Sequence, residues 1–321
     1  MIKILAPGFF VTLVLGLAAW FLSTQYDVAD ALVVALLLGM SVRAIASRHP
    51  SFFLVIAYAK DIQRFLIPLG VLLYAGTINI RGSLELGSGI YVRTLASAAG
   101  LFAITYSVAL LLGCSKKTTL LTAIGTAICG ASAIAITSNV IEAEDDDTSN
   151  SLIAVTVAGL VAVALLHLWL GHLSEGQHAL FAELSGATLQ QTGMVKIATA
   201  SLSPHLRDLA LSVKVVRIAL IPFIALGLSL ASIRKSGGGR ERFYVLAMLL
   251  GFIIVLALTA SSPSFAASVK TLAVKNAATI VFAIGFANLG LLVDFGRLRP
   301  KTIAASLAGW LIVAPLHWLL L

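Results

Sequence analysis

Long apolar segments separated by short polar connections occupy almost the whole chain. A helix that crosses a membrane needs about 20 apolar residues, and segments of that length recur about ten or eleven times. We predict spans at about residues 5–23, 28–46, 62–79, 91–113, 117–141, 150–171, 177–200, 207–231, 243–260, 275–293 and 302–320. Shorter amphipathic segments at 52–64 and 265–276 are expected along the membrane surface or dipping into it. The pattern predicts an all-α membrane protein with about 10–11 transmembrane helices.

Small residues at the middle of the span at 117–141 predict a helix that breaks halfway. They are Gly125, Thr126, Ala127, Cys129, Gly130, Ala131, Ser132 and Ala133. A broken helix is tolerated at membrane depth only where its backbone faces protein or a water-filled cavity, and in transporters such breaks form the binding site. The alternative is that the small residues serve only close helix packing.

Polar residues are unusually dense in the span at 177–200. They include Ser185, Thr188, Gln190, Gln191 and Thr192. This density favours a cavity lining, with a second helix break at Gly186 or Gly193, over a helix that lies on the membrane surface.

Charge distribution supports the count of spans. The net charge is +8, from 22 Lys and Arg against 14 Asp and Glu, and the basic residues concentrate in alternate loops, opposite the acidic run at 142–147. The positive-inside rule then predicts a cytoplasmic N-terminus and requires that 177–200 crosses the membrane. The first segment has no cleavage site and is expected to remain as a span.

Composition leaves little room for other classes of protein. The chain is 59% hydrophobic and 11% charged, with a mean hydropathy of +1.01, whereas soluble domains are roughly 25% charged. Two cysteines form no disulfide framework, and no catalytic, phosphate-binding or metal-binding motif is present. The sequence predicts no enzyme activity, no metal or other cofactor and no nucleic-acid partner.

Two basic residues fall near the middle of the span at 207–231. Lys214 and Arg217 are three residues apart, which places them on one helix face, and ionisable residues inside a membrane face a cavity or a partner. Two neighbouring cations favour contact with an anion. The alternatives are a carboxylate partner on another helix, or snorkelling of Lys214 to the interface. Glu183 is the one acid that could lie at membrane depth, and it would serve a proton- or sodium-coupled antiporter.

The chain contains a short internal repeat. Residues 69–77 resemble residues 283–291, and three matches share an offset of 214 residues. Gly76 matches Gly290 within these stretches, and beyond them Gly82 matches Gly296 and Leu84 matches Leu298. The copies lie in the third and tenth predicted spans, which are seven apart in order, so they run in opposite directions, as in the inverted repeats of secondary transporters. We predict one polytopic domain, 1–321, with halves of about 1–172 and 173–321, in which Tyr74 and Asn288 face the centre.

The stretch GTAICGASAIAITSNVIEAE, residues 125–144, closely resembles the signature of the YeiH-like family of bacterial membrane proteins, which are described as sulfate exporters. The resemblance extends to Lys214-x-x-Arg217, to LGVLLYAG at 69–76 and to the motif near Gly290. It implies inverted repeats, interrupted central helices and a distant likeness to the folds of bile-acid symporters and sodium/proton antiporters.

The chain also departs from the family pattern. Gln190 and Gln191 stand where relatives have a His-Asp pair, Met194 stands in place of Gln, and Asn139 in place of Pro. If the His-Asp pair handles protons or discriminates substrates, then coupling or ligand choice differs in this protein.

The sequence therefore predicts a secondary transporter of a small anion (sulfate, or an organic sulfonate or carboxylate) that works by alternating access in the bacterial inner membrane. A proton- or sodium-coupled antiporter and a receptor or regulatory protein that does not transport are the alternatives. Expected partners are the substrate, the lipid bilayer and, as one option, a second copy of the chain. The candidate binding residues are Thr126, Cys129, Gly130, Ala131, Ser132, Gln190, Gln191, Thr192, Lys214, Arg217 and Asn288.

Overall fold

The computed structural model describes residues 2–26, 30–46, 52–76, 80–232, 239–269, 271–294, 296 and 298–321. Within these ranges the chain forms α-helices, 3-10 turns at Glu175–Gln177 and at residue 296, and no strand. The helices are α1 Ile2–Gln25, α2 Ala31–Ala46, α3 Phe52–Ala75, α4 Ile80–Leu84, α5 Ser88–Leu111, α6 Lys116–Ala127, α7 Ala131–Val140, α8 Asp145–Leu170, α9 His178–Thr188, α10 Thr192–Ala198, α11 Pro204–Ile218, α12 Ile221–Ser232, α13 Gly239–Ser261, α14 Pro263–Val269, α15 Leu272–Leu292 and α16 Pro300–Leu319. The prediction of an all-α membrane protein is confirmed.

Six helical segments in the described residues are long and apolar enough to cross a membrane. They are Gly8–Gln25, Ser88–Leu111, Asp145–Leu170, Pro204–Leu230, Leu272–Leu292 and Pro300–Leu319. The predicted spans at 117–141 and 177–200 are each divided into two shorter helices, so neither contains a single helix of spanning length. The two ends of 117–141 also lie side by side, because Lys117 Nζ donates to the carbonyl oxygen of Glu142 at 2.7 Å. The prediction that the acidic run at 142–147 lies opposite this basic loop was therefore wrong. The amphipathic segment at 52–64 is not a separate piece, because α3 continues without interruption from Phe52 to Ala75.

The chain divides into two compact units, each assembled from distant parts of the sequence. Unit 1 contains Met1–Ile78 and Ser229–Arg297, and unit 2 contains Asn79–Leu228 and Leu298–Leu321. In unit 1, α15 packs against α1, α2 and α3. In unit 2, α16 packs against α5, α6, α8 and α9, while α11 packs against α9.

Backbone contact between α2 and α15 organises unit 1. A Cβ atom on Gly39 would lie 2.3 Å from the carbonyl oxygen of Ala287, and one on Gly290 would lie 2.3 Å from that of Leu36. The two helices therefore approach through glycines on both sides, as small residues allow in membrane helix pairs. Arg43 and Asp294 form an ion pair at 3.5 Å within the same unit.

Candidate functional site

The first helix break lies between α6 and α7, within unit 2. Ser115 begins α6 by accepting a hydrogen bond from the backbone N–H of Thr118, and α6 ends at Ala127. The chain then turns through Gly130, whose φ of +70° and ψ of −124° belong to a region that glycine adopts readily. The small-residue segment thus forms the interruption that its composition predicts.

The second break lies between α9 and α10, at residues 189–191, and not at either predicted glycine. Gly186 is inside α9, where a Cβ atom would lie 2.3 Å from the carbonyl oxygen of Ala210 on α11. Its role is close helix approach. Gly193 is inside α10. The prediction of a break was right, but its assignment to Gly186 or Gly193 was wrong.

Lys214 on α11 joins the two breaks. Its Nζ donates hydrogen bonds to the carbonyl oxygens of Ile128 at 2.8 Å, Leu189 at 2.6 Å and Gln190 at 2.7 Å. An ammonium group has three N–H donors, so all of them are used. The side chain is fully buried. It neither snorkels to the surface nor pairs with a carboxylate.

Arg217, one helical turn along α11, makes the same kind of contact. Its Nη2 and Nε donate to the carbonyl oxygens of Thr126 and Ala127, each at 2.8 Å. Its Nη1 donates to those of Ala187 at 2.9 Å and Leu189 at 2.8 Å. These carbonyls are at the C-terminal ends of α6 and α9, which lack partners within their own helices. The two cations therefore satisfy and neutralise helix ends that the breaks expose.

Two glutamines of the second break point toward α8. Gln191 Nε2 donates to Thr156 Oγ1 at 3.3 Å, and Gln191 packs against Gly130, where a Cβ atom would lie 2.5 Å from its Cγ. Gln190 is fully buried, and in the part of the chain that the structure describes neither its Oε1 nor its Nε2 has a hydrogen-bond partner. A buried polar group without a partner is uncommon and indicates a place where water or a ligand binds.

The space beside Gln190 depends on Gly159 of α8. A Cβ atom at Gly159 would lie 2.2 Å from the sulfur of Met194 and 3.0 Å from Gln190 Oε1. Gly159 and Thr156 are three residues apart and so share one face of α8. Neither stands out in an otherwise apolar span, and no sequence pattern identified them.

The small residues of the first break are hydrogen-bonded locally. Cys129 Sγ lies 2.7 Å from Ser132 Oγ, and Thr126 Oγ1 lies 2.7 Å from Ser306 Oγ on α16. Gly130 and Ala131 form the start of α7, and Thr192 forms the start of α10. Ten of the eleven predicted binding residues thus belong to the two breaks or to α11, all within unit 2.

Asn288 belongs to unit 1 instead. It lies on α15, where its Nδ2 donates to the carbonyl oxygen of Ile284 at 2.8 Å and its Oδ1 has no partner among the described residues.

Glu183 of unit 2 is the acid that the sequence placed at membrane depth. It is buried and forms a bidentate ion pair with Arg93, at 2.8 and 2.9 Å. Arg93 was not predicted, because it lies close to a span end, where basic residues are common.

Comparison with known proteins gives a consistent result. A family model described as Conserved hypothetical protein 698 matches residues 7–306. The chain is 30% identical over 303 residues to a UPF0324 membrane protein of Archaeoglobus fulgidus, covering 94% of this chain and 88% of that protein. It is 31% identical over 269 residues to one of Brucella melitensis, covering 83% and 73%, and 27% identical over 325 residues to one of Bacillus cereus, covering 98% and 94%.

The family match spans nearly the whole chain and includes both breaks and α11. It confirms the family resemblance that the signature at 125–144 indicated. The relatives are named as membrane proteins, in agreement with the apolar helices described above. The chain is a multi-pass membrane protein and belongs to the family described as Conserved hypothetical protein 698, whose relatives include the UPF0324 membrane proteins.

Proposed function

We propose that the protein is a secondary transporter of a small anion, which binds beside the two helix breaks of unit 2. The observation that carries this proposal is the pair of buried cations. Lys214 and Arg217 are both fully buried, and within the described part of the chain their side chains donate only to backbone carbonyls. Buried charge is costly unless a counter-charge is near. An anionic ligand would supply one.

An order-of-magnitude charge balance supports an anion rather than a cation. Helix ends carry about −0.5 elementary charge at the C-terminus and +0.5 at the N-terminus. The C-terminal ends of α6 and α9 therefore offset about half of the two positive charges, and the N-terminus of α7 adds a little positive charge. The N-terminus of the short helix α10 acts in the same sense, so a net charge of roughly +1.5 to +2 remains at the breaks.

Gln190 supplies the neutral recognition group in this proposal. Its amide nitrogen is buried without a partner and carries two donors, which suit the oxygens of sulfate, a sulfonate or a carboxylate. Because donors to a charged group contribute roughly 1.5–3 kcal/mol, this one residue can decide whether an anion is bound.

The wider setting of the proposal is the bacterial inner membrane, with the N-terminus in the cytoplasm and alternating access as the mechanism. The protein is not an enzyme in this scheme. Its partners are the anion and the bilayer, and a homodimer is one arrangement of the chain.

Anion flux in reconstituted liposomes tests the proposal. Labelled sulfate, methanesulfonate and succinate are supplied in turn, and we expect saturable uptake of at least one. Gln190→Leu removes the amide while leaving no protein partner unpaired, and should raise the apparent KM roughly tenfold to a hundredfold.

The matched control is Gln25→Leu, since Gln25 is an exposed glutamine at the end of α1. It should transport like the wild type. Absence of flux for all three anions, or equal effects of the two substitutions, would argue against the proposed site.

A further inference from the structure

A second group of buried ionisable side chains lies in unit 2, on α5, α9 and α16. Glu183 on α9 is 5% exposed and His317 on α16 is 1% exposed. The Arg93 side chain on α5 is 27% exposed, so the group reaches the edge of the unit. Neither Lys214 nor Arg217 is hydrogen-bonded to any of these three. The proposed anion site therefore does not explain why these three ionisable side chains lie together.

The ion pair between Glu183 and Arg93 is complete by itself. Arg93 Nε donates to Glu183 Oε1 at 2.8 Å, and Arg93 Nη2 donates to Glu183 Oε2 at 2.9 Å. This bidentate geometry is the strong form of the interaction. The pair has no net charge.

One of the two ring nitrogens of His317 lacks a hydrogen bond. Its Nδ1 lies 2.7 Å from Ser97 Oγ, while its Nε2 is buried, without a hydrogen-bond partner among the described residues, and lies 3.7 Å from Glu183 Oε1. Hydrogen bonds of this type measure about 2.7–3.2 Å, so neither neutral tautomer makes a bond at Nε2. An imidazolium has a donor on each nitrogen. It would bond Ser97 through Nδ1 and, after a shift of about 1 Å, Glu183 through Nε2.

Other charged groups near His317 are few. Glu183 and Arg93 come from α9 and α5, and Arg217 on α11 is the next charge that acts on the ring. On α8, Trp169 packs against Trp318 with ring centroids 4.4 Å apart, and His167 is exposed. Glu183 is thus the acid available to a protonated His317 among these groups.

The cluster is connected to the second break through α9. Glu183 and Ala187 are four residues apart, which places them one turn apart on the same face. The carbonyl oxygen of Ala187 accepts from Arg217 Nη1 at the break. Glu183 therefore lies one turn before the helix end that Arg217 holds.

We propose that His317 and Glu183 form a proton-binding site that controls the second helix break. One proton from solvent binds to Nε2 of neutral His317, the charge of the cluster rises from zero to +1, and Glu183 is shared between Arg93 and His317. Release of the proton restores the bidentate pair alone. The use of this proton to drive transport rests on the proposed function, but proton binding itself does not.

NMR spectroscopy of the full chain, labelled with 15N-histidine, tests proton binding without any substrate. The chain has six histidines, and the signal of His317 is assigned from its loss in His317→Gln, or from its displacement in Ser97→Ala, which leaves the ion pair intact. Between about pH 8 and 3.5 we expect this signal to change from neutral to doubly protonated imidazole. Glu183→Gln should abolish the doubly protonated form, and the exposed His172→Gln should leave it unchanged. A signal that stays neutral across this range, or an unaltered signal in Glu183→Gln, overturns the proposal.

Labelling of Cys129 with N-ethylmaleimide tests the link to the breaks. Cys114→Ser leaves Cys129 as the single thiol, and Cys129 is buried at the first break, which Lys214 ties to the second. The labelling rate is measured against pH in the Cys114→Ser variant, with and without His317→Gln. Ionisation of the Cys129 thiol affects both variants, so it is the difference between the two pH profiles that reports on His317. We expect the ratio of their rates to change about fivefold or more between about pH 8 and 3.5. Parallel profiles overturn the link, whatever the outcome of anion flux.

Discussion

Arg217 makes four hydrogen bonds to four different carbonyl oxygens, two at each break. Only a planar group with donors in several directions can do this from one position. The charge of Arg217 and its geometry are therefore separate contributions. Charge favours an anion nearby, whereas geometry holds the ends of α6 and α9 together.

Arg217→Lys separates these contributions. Lysine keeps the charge but has three donors at one nitrogen, so it cannot keep all four bonds. The Leu189 carbonyl retains its bond from Lys214, but loss of the bond to Thr126, Ala127 or Ala187 leaves a buried carbonyl without its donor. Each unpartnered buried carbonyl costs about 1–3 kcal/mol, and we expect a lower melting temperature in detergent despite the conserved charge.

Arg207→Lys is the control for that experiment. Arg207 lies on the same helix, near its start, and is partly exposed. Its replacement should leave the melting temperature unchanged. Equal stability of both variants would show that the four bonds of Arg217 contribute little.

Sequence reasoning identified the charged residues of the site but not their partners. Lys214 and Arg217 stand out because charge within a membrane span is expensive. Their acceptors are backbone carbonyls, which every residue carries, so the partners become apparent only once the ends of α6 and α9 are known. Gly159 had no signal of its own, since its importance depends on Met194 and Gln190.

At the scale of elements, the two breaks have different origins. The first contains Gly130 in a backbone conformation suited to glycine, which is why small residues predicted it. The second contains Leu189, Gln190 and Gln191 and no glycine. Its carbonyls are held by Lys214 and Arg217 from α11. A break that is maintained by another helix leaves no pattern in its own sequence. The sequence prediction therefore placed this break at the neighbouring glycines.

Gly130→Ala tests how the first break positions the second. The new Cβ atom would meet Gln191 Cγ at 2.5 Å, and the backbone strain adds about 1–3 kcal/mol. We expect a lower melting temperature, part of which returns in the double variant Gly130→Ala/Gln191→Ala, because the second change removes the clashing atom.

Gly113→Ala isolates the clash from the strain. Gly113 also has a positive φ, +74°, but nothing lies within 4 Å of the new Cβ atom. Its stability loss should be smaller than that of Gly130→Ala. If the two losses match and Gln191→Ala restores nothing, then contact between the breaks does not contribute to stability.

For the whole molecule, the compact units do not follow the order of the chain. In unit 1, α1–α3 pack with α15, which comes about 200 residues later. In unit 2, the last helix, α16, packs against α5, α6, α8 and α9. Hydropathy predicts helices but carries no information on which helices pack together. The two halves with inverted repeats stay a prediction, as does the number of transmembrane crossings outside the described helices.

Gly39→Ala tests the packing that organises unit 1. Its Cβ atom would meet the backbone oxygen of Ala287 at 2.3 Å, and backbone cannot yield as a flexible side chain does. Overpacking of this kind costs about 1–3 kcal/mol, so the melting temperature should fall.

Gly227→Ala provides the comparison, because Gly227 on α12 has nothing within 4 Å of the added atom. Alanine favours a helix over glycine by up to about 1 kcal/mol, so this variant should be unchanged or slightly more stable. A fall of equal size in both variants would contradict the role assigned to the contact between α2 and α15.

The dependence of both breaks on α11 also constrains how the protein is made. Thr126 and Ala127 precede Arg217 by about 90 residues, which ribosomes synthesise in roughly 5–20 seconds. During that interval the carbonyls at the end of α6 have none of the donors that serve them in the finished protein. The nascent hairpin of α6 and α7 must therefore keep contact with water or with the insertion machinery until α11 arrives, and it becomes a stable part of the bilayer only after that.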